Sequence, residues 1–146
     1  AQVPGTDQDI VIVIGESIEN HATLLGLAGA LPGPLVSTHR SAMVVSWLNG
    51  AGVDGSFDSE ELRIFGETLA HEAGHYLGLY HPVENTWDEF DALNDTPQCS
   101  SMNECETSME DNLMFPYPIC STVECVQQNQ LSTQQAGVMQ LYSGTL

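Results

Sequence analysis

Apolar and polar positions along this chain change period several times, and the changes predict its elements. Residues 9–14 (DIVIVI) are a β-branched run with the pattern of a buried strand. Residues 16–25 are compatible with a helix. Residues 24–30 (LLGLAGA) are apolar but glycine-rich, and Pro32-Gly33-Pro34 ends them. Residues 41–48 (SAMVVSWL) read as another strand, and residues 49–56 follow as a turn-rich loop with three glycines. Asp58 or Ser59 then serves as an N-cap, Glu60 and Glu61 fill the first turn, and Leu62, Phe65, Leu69 and Ala73 recur at helical spacing. One long helix is predicted over residues 59–78. Beyond Pro82 the periodicity is lost: residues 84–111 hold nine acids and no base. A structureless loop of that length calls for disulfides or bound metal. Order returns at residues 131–142 (LSTQQAGVMQLY), with Ser132 as N-cap and Gln135, Val138, Met139 and Tyr142 on one helical stripe. There is no internal repeat.

Length allows a single domain over residues 1–146. Charge narrows the partners. Twenty Asp and Glu face only Arg40 and Arg63, with no lysine, for a formal net charge of -18. Nucleic acid is excluded, because phosphate binding needs cationic side chains to displace counterions. An anionic membrane surface is excluded for the same reason, and no apolar run approaches the ~20 residues that span a bilayer. Ala1-Gln2-Val3-Pro4 has neither a basic n-region nor an apolar h-region. Cys99, Cys105, Cys120 and Cys125 lack the CxxC spacing of a zinc knuckle and read as two disulfides, hence an oxidising compartment; four free buried thiols are the blander alternative. Together these predict a secreted mature domain, its signal and any pro-segment removed, acting as a monomer. Four cysteines allow three pairings. Short loops favour Cys99–Cys105 and Cys120–Cys125, whereas long-range pairs would clamp the segment between them.

The chemistry concentrates in residues 71–81 (HEAGHYLGLYH). Two histidines at i and i+4 lie one above the other on a helix face, where neutral imidazoles can grip one Zn²⁺. Glu72 stands about 100° round the helix from His71, so its carboxylate can reach a water beside the metal rather than the metal itself. Gly78 lets the backbone leave the helix in a left-handed conformation, and the turn brings back His81 as third ligand. Three protein ligands and an open position define a catalytic zinc site. A bare HExxH also occurs as an exposed histidine pair with an acid between; the added glycine and third histidine argue against that here. His21 and His39 show no such spacing and read as ordinary surface or packing residues.

Residues 71–81 match the HExxHxxGxxH signature in all five defining positions, and the chain resembles the metzincin metallopeptidases. Asn112-Leu113-Met114-Phe115-Pro116, with Met114 thirty-three residues after His81, is similar to the methionine turn these enzymes carry beneath the metal. Within the metzincins, Gly66-Glu67-Thr68-Leu69-Ala70 before His71, Gly78-Leu79-Tyr80-His81, Asp95-Thr96-Pro97 and Leu131-Ser132-Thr133-Gln134-Gln135 resemble the pappalysin group. Leu24-Leu25-Gly26-Leu27-Ala28, followed by Leu31-Pro32-Gly33, is similar to the edge-strand segment of pappalysins and matrixins. Two positions depart. Pappalysins usually carry tyrosine two residues after the turn methionine, whereas Pro116 stands there and Tyr117 follows, as in a matrixin-like turn whose proline walls the primed-side pocket. Pro82 after His81 is as in serralysins.

The resemblance implies an α/β (α+β) metzincin-like catalytic domain: a small twisted mixed sheet, a long zinc-binding helix above the cleft, and an irregular disulfide-bonded C-terminal subdomain ending in a helix. Residues 1–78 would be the upper subdomain and residues 79–146 the lower. It implies a metalloendopeptidase with zinc on His71, His75 and His81, Glu72 as general base and Met114 as a packing floor. Tyr117 is a candidate oxyanion or pocket group, and the edge Leu25, Gly26, Leu27 and Ala28 would bind a protein or peptide substrate as an added strand. A proline at position 27 or 28 is then expected to weaken substrate binding without unfolding the domain. Residues 84–111 are either a solvated acidic face or a structural Ca²⁺ site, since hard cations need several oxygen ligands. Residues 49–61 imitate an EF-hand only in part, because Gly50 occupies the first ligand position. The rival reading is an inactive or latent metal-stabilised peptide-binding module.

Overall fold

The computed structural model describes residues 10–19, 23–34, 38 and 40–143; His21 and His39 lie outside them. Residues 1–78 and 79–146 form two compact units.

In the first unit, β1 (Val11–Gly15) runs parallel to β3 (Ala42–Ser46), and β2 (Gly26–Ala28) pairs with β3 antiparallel, giving the order β1-β3-β2. Short helical turns follow at α1 (Trp47–Gly50) and Gly52–Asp54. The long helix α2 spans Ser59–Tyr76 and lies against β2 and β3. Its start is the predicted one. The Asp58 carboxylate accepts from the Glu60 and Glu61 N–H groups, and Glu61 accepts from the Asp58 N–H, closing a capping box. Its end comes two residues before Gly78, which takes φ 96° and releases the chain. Loop 31–34 holds the last turn: the Gly33 N–H donates to the Tyr76 carbonyl at 2.8 Å, and the Tyr76 hydroxyl donates to the Pro34 carbonyl at 3.1 Å.

Two expectations need correction here. Residues 9–14 read as a buried strand, yet Ile12 and Ile14 are 48% and 59% exposed. β1 has β3 on one side, while the helix covers the other two strands; β-branched composition reports strand propensity, not which strand the helix covers. None of the described residues between 16 and 25 is helical.

The second unit gathers Val83, Cys99, Cys105, Met109 and Phe115 into one buried cluster, flanked by Trp87, Phe90, Tyr117 and Ile119. Disulfides join Cys99 to Cys105 and Cys120 to Cys125, the short-loop pairing. Helix α3 (Met102–Ser108) lies within the acidic stretch that showed no period. Ser101 caps it and the first disulfide ties it down at Cys105. The unit ends in α4 (Thr133–Ser143). Ser132 and Gln135 form a second capping box: the Gln135 N–H donates to Ser132 Oγ at 3.1 Å, and the Ser132 N–H to Gln135 Oε1 at 2.9 Å. Asp95 reinforces that end, accepting from the Ser132 hydroxyl and the Gln134 N–H at 2.7 and 2.9 Å. The architecture is a small mixed α/β fold of the expected class.

Candidate metal and catalytic centre

His71 and His75 project one turn apart from α2, and their rings meet edge-on with centroids 4.6 Å apart. The helix stops at Tyr76, Gly78 turns, and His81 follows on the same continuous stretch of chain. One ligand nitrogen from each of the three imidazoles lies within 4.8 Å of the others. Among the described residues this is the one group of three or more His, Cys, Asp or Glu side chains able to hold a metal ion. His81 is further oriented by Glu84, whose Oε2 is 3.0 Å from His81 Nδ1. A carboxylate on Nδ1 favours the tautomer that carries its proton there and leaves Nε2 as the donor atom. Three neutral nitrogen donors with a carboxylate behind one of them suit a borderline-soft divalent ion such as zinc.

The model of the peptidase M43 family, described as pregnancy-associated plasma protein-A, matches residues 26–143. The chain belongs to this family. No curated protein and no solved structure matches it. As a member of the M43 family the chain is a metallopeptidase, a hydrolase of peptide bonds, and the family implies zinc for the histidine triad.

Glu72 lies against β2, beside Gly26 and Ala28. It is buried at 6% exposure, and that burial pushes its carboxyl up to about 7, opposed by a hydrogen bond from the Ala28 backbone N–H. The residues expected to form the substrate edge are therefore beside α2. The β2–β3 register explains which of their backbone groups are available. The Ser46 N–H donates to the Leu25 carbonyl and the Gly29 N–H to the Ala42 carbonyl. Hydrogen-bonded positions alternate along an antiparallel pair, so Leu27 faces β3 while the peptide groups of Gly26 and Ala28 point to the open edge.

Met114 is fully buried, and its N–H donates to Asn112 Oδ1 at 2.9 Å. Asn112 is held in turn by Gln135 of α4, also fully buried, through side-chain bonds of 3.0 and 3.4 Å. Tyr117 is a packing residue in its own unit: its ring meets Trp87 and Phe115 edge-on, and its hydroxyl donates to Glu106 at 2.9 Å. Burial and the Glu106 carboxylate both push the Tyr117 hydroxyl pKa up. The acidic stretch gathers no carboxylate cluster among the described residues. Several of its acids serve internal hydrogen bonds instead. Asp91 accepts from Thr96 and Leu93, Asp95 caps α4, and Glu104 accepts from Ser100. Calcium therefore gains no support here.

Sequence reasoning missed Glu84, Gln135 and the approach of Gly26 to Glu72. An acid three residues after the third histidine and a polar residue on the apolar stripe of α4 were available signals. Nothing local to Gly26 announced a neighbour more than forty residues away.

Proposed function

We propose that this metallopeptidase is a zinc-dependent endopeptidase acting on proteins or peptides, with His71, His75 and His81 as metal ligands and Glu72 as general base. The observation that carries the reading is the histidine triad on the same short stretch as a buried carboxyl raised to about 7. Zinc held by the three imidazoles would supply the Lewis acidity that polarises a scissile carbonyl and acidifies an attacking water. Glu72 takes that water's proton and delivers it to the leaving amine; a carboxyl poised near neutrality suits both transfers. Glu84 holds His81 in its ligating tautomer. The open edge of β2, with the Gly26 peptide group facing outward, binds substrate backbone as an added strand. Asn112-Leu113-Met114-Phe115-Pro116 is read as the family's methionine turn, tied to α4 through the Asn112–Gln135 pair. With its hydroxyl engaged by Glu106, Tyr117 is assigned a packing role rather than an oxyanion one. Two disulfides fit a secreted domain, and among the described residues no helix is long and apolar enough to cross a membrane.

Digestion of a mixed peptide library, read by mass spectrometry, tests this with wild type and Glu72→Gln side by side. Internal cleavage by wild type alone, abolished by a chelator and restored by zinc, is the expected result. Equal cleavage by both would remove Glu72 as the base. Stoichiometric zinc with no cleavage by either would favour the peptide-binding module. Activity should also collapse in mild acid, because protonated imidazoles release the metal.

A further inference from the structure

We propose that β2 is the positioning element of Glu72, and that Gly26 and the Ala28 N–H hold its carboxylate in place for proton transfer. This rests on Glu72 being the general base. Two independent features of the fold converge on that carboxylate. The Ala28 N–H points away from β3 and donates to Glu72 instead. A Cβ built on Gly26 would stand 2.6 Å from both Cγ and Oε1 of Glu72 and 2.9 Å from Cδ, and these three atoms are its nearest neighbours. The side chain of Glu72 thus occupies the space a residue other than glycine would take. The atoms that would give way belong to the Glu72 side chain from Cγ outward, not to backbone. A methyl at position 26 therefore moves the carboxylate and leaves the sheet intact.

The same geometry separates two positions that the sequence treats alike. The Leu27 peptide faces β3, so a proline there breaks the ladder. A proline at position 28 removes no sheet bond but deletes the donor to Glu72. β2 is then more than a rail for substrate: its outward groups are divided, with the Ala28 N–H committed to the base and the Gly26 peptide left for a substrate strand. Gly26 and Ala28 act through Glu72 and are positioning residues.

The experiment follows a quenched-fluorescent peptide chosen from those the wild type cleaves. Gly26→Ala and Ala28→Pro are expected to lower kcat by about tenfold or more, since small misplacements of a catalytic group have effects of that size. KM should stay within about twofold, with bound zinc and Tm unchanged. Unchanged kcat in both variants, or a loss confined to KM, would overturn the proposal. A measurement independent of activity accompanies it: hydrogen exchange at the Ala28 amide in the full chain. That amide should be protected in wild type and exchange about tenfold faster in Gly26→Ala and in Glu72→Ala, while the Leu27 amide is unaffected. Equal Ala28 rates in all three proteins would sink the contact. Should wild type cleave nothing, it is the endopeptidase reading that fails, and the exchange rates still decide whether β2 holds Glu72.

Discussion

Glu72 shows how much one side chain can depend on its surroundings. Burial raises its carboxyl from 4.5 to about 7, so in metal-free protein near pH 6 the folded state holds a proton that the unfolded state has released. Stability then falls as pH rises between those two values. Metal-free Glu72→Gln should be more stable than metal-free wild type by roughly 3 kcal/mol above about pH 8, and no more stable below about pH 4.5. Thermal unfolding across pH in the presence of chelator reads this directly; a constant gap would mean that the carboxyl is not raised. Glu84 acts at the same scale. Glu84→Ala should weaken zinc binding about 10- to 100-fold, with Glu84→Gln retaining part of the affinity. Competition with a chromophoric chelator measures it, and unchanged affinity in Glu84→Ala would remove the carboxylate from the site. The candidate residues His71, Glu72 and His75 were legible because a helix fixes their relative directions within about one turn, and His81 because Gly78 ends that helix just before it. Glu84 and Gly26 were not: one acts through a side-chain bond beyond the motif, the other through a contact across the sheet.

Among the elements, those closed by local chemistry were the readable ones. Asp58 with Glu61 starts α2, and Ser132 with Gln135 starts α4, each by a capping box whose partners lie three residues apart. α3 was unreadable because seven residues carry too little period; Ser101 and the Cys99–Cys105 bond hold it instead. Gln135 belongs to two levels at once, capping its own helix and filling the bonds of buried Asn112. Gln135→Ala leaves Asn112 short of partners and should lower stability by about 1–3 kcal/mol. Denaturant titration against a Gln134→Ala control measures it; an equal effect of both would assign the loss to helix propensity rather than to the buried pair.

At the scale of the whole molecule, a net charge of -18 surrounds a site meant for peptide chains. Such a field raises the local concentration of cations and speeds their encounter. For matched peptides of opposite net charge, kcat/KM should favour the cationic one, and the preference should shrink as salt shortens the Debye length from about 10 Å at 0.1 M to about 3 Å at 1 M. A preference indifferent to salt would place the selectivity in a pocket rather than in the field.

The sequence by itself determined the candidate histidine triad, the turn at Gly78, the caps of both long helices and the charge, since each depends on side-chain chemistry or on neighbours within about one helical turn. Tertiary structure alone decided which strand the helix leaves exposed, which peptide groups of β2 face outward, and that Glu72 is buried against Gly26. Those outcomes depend on sheet order and strand register, and both are set by contacts between residues far apart in the chain.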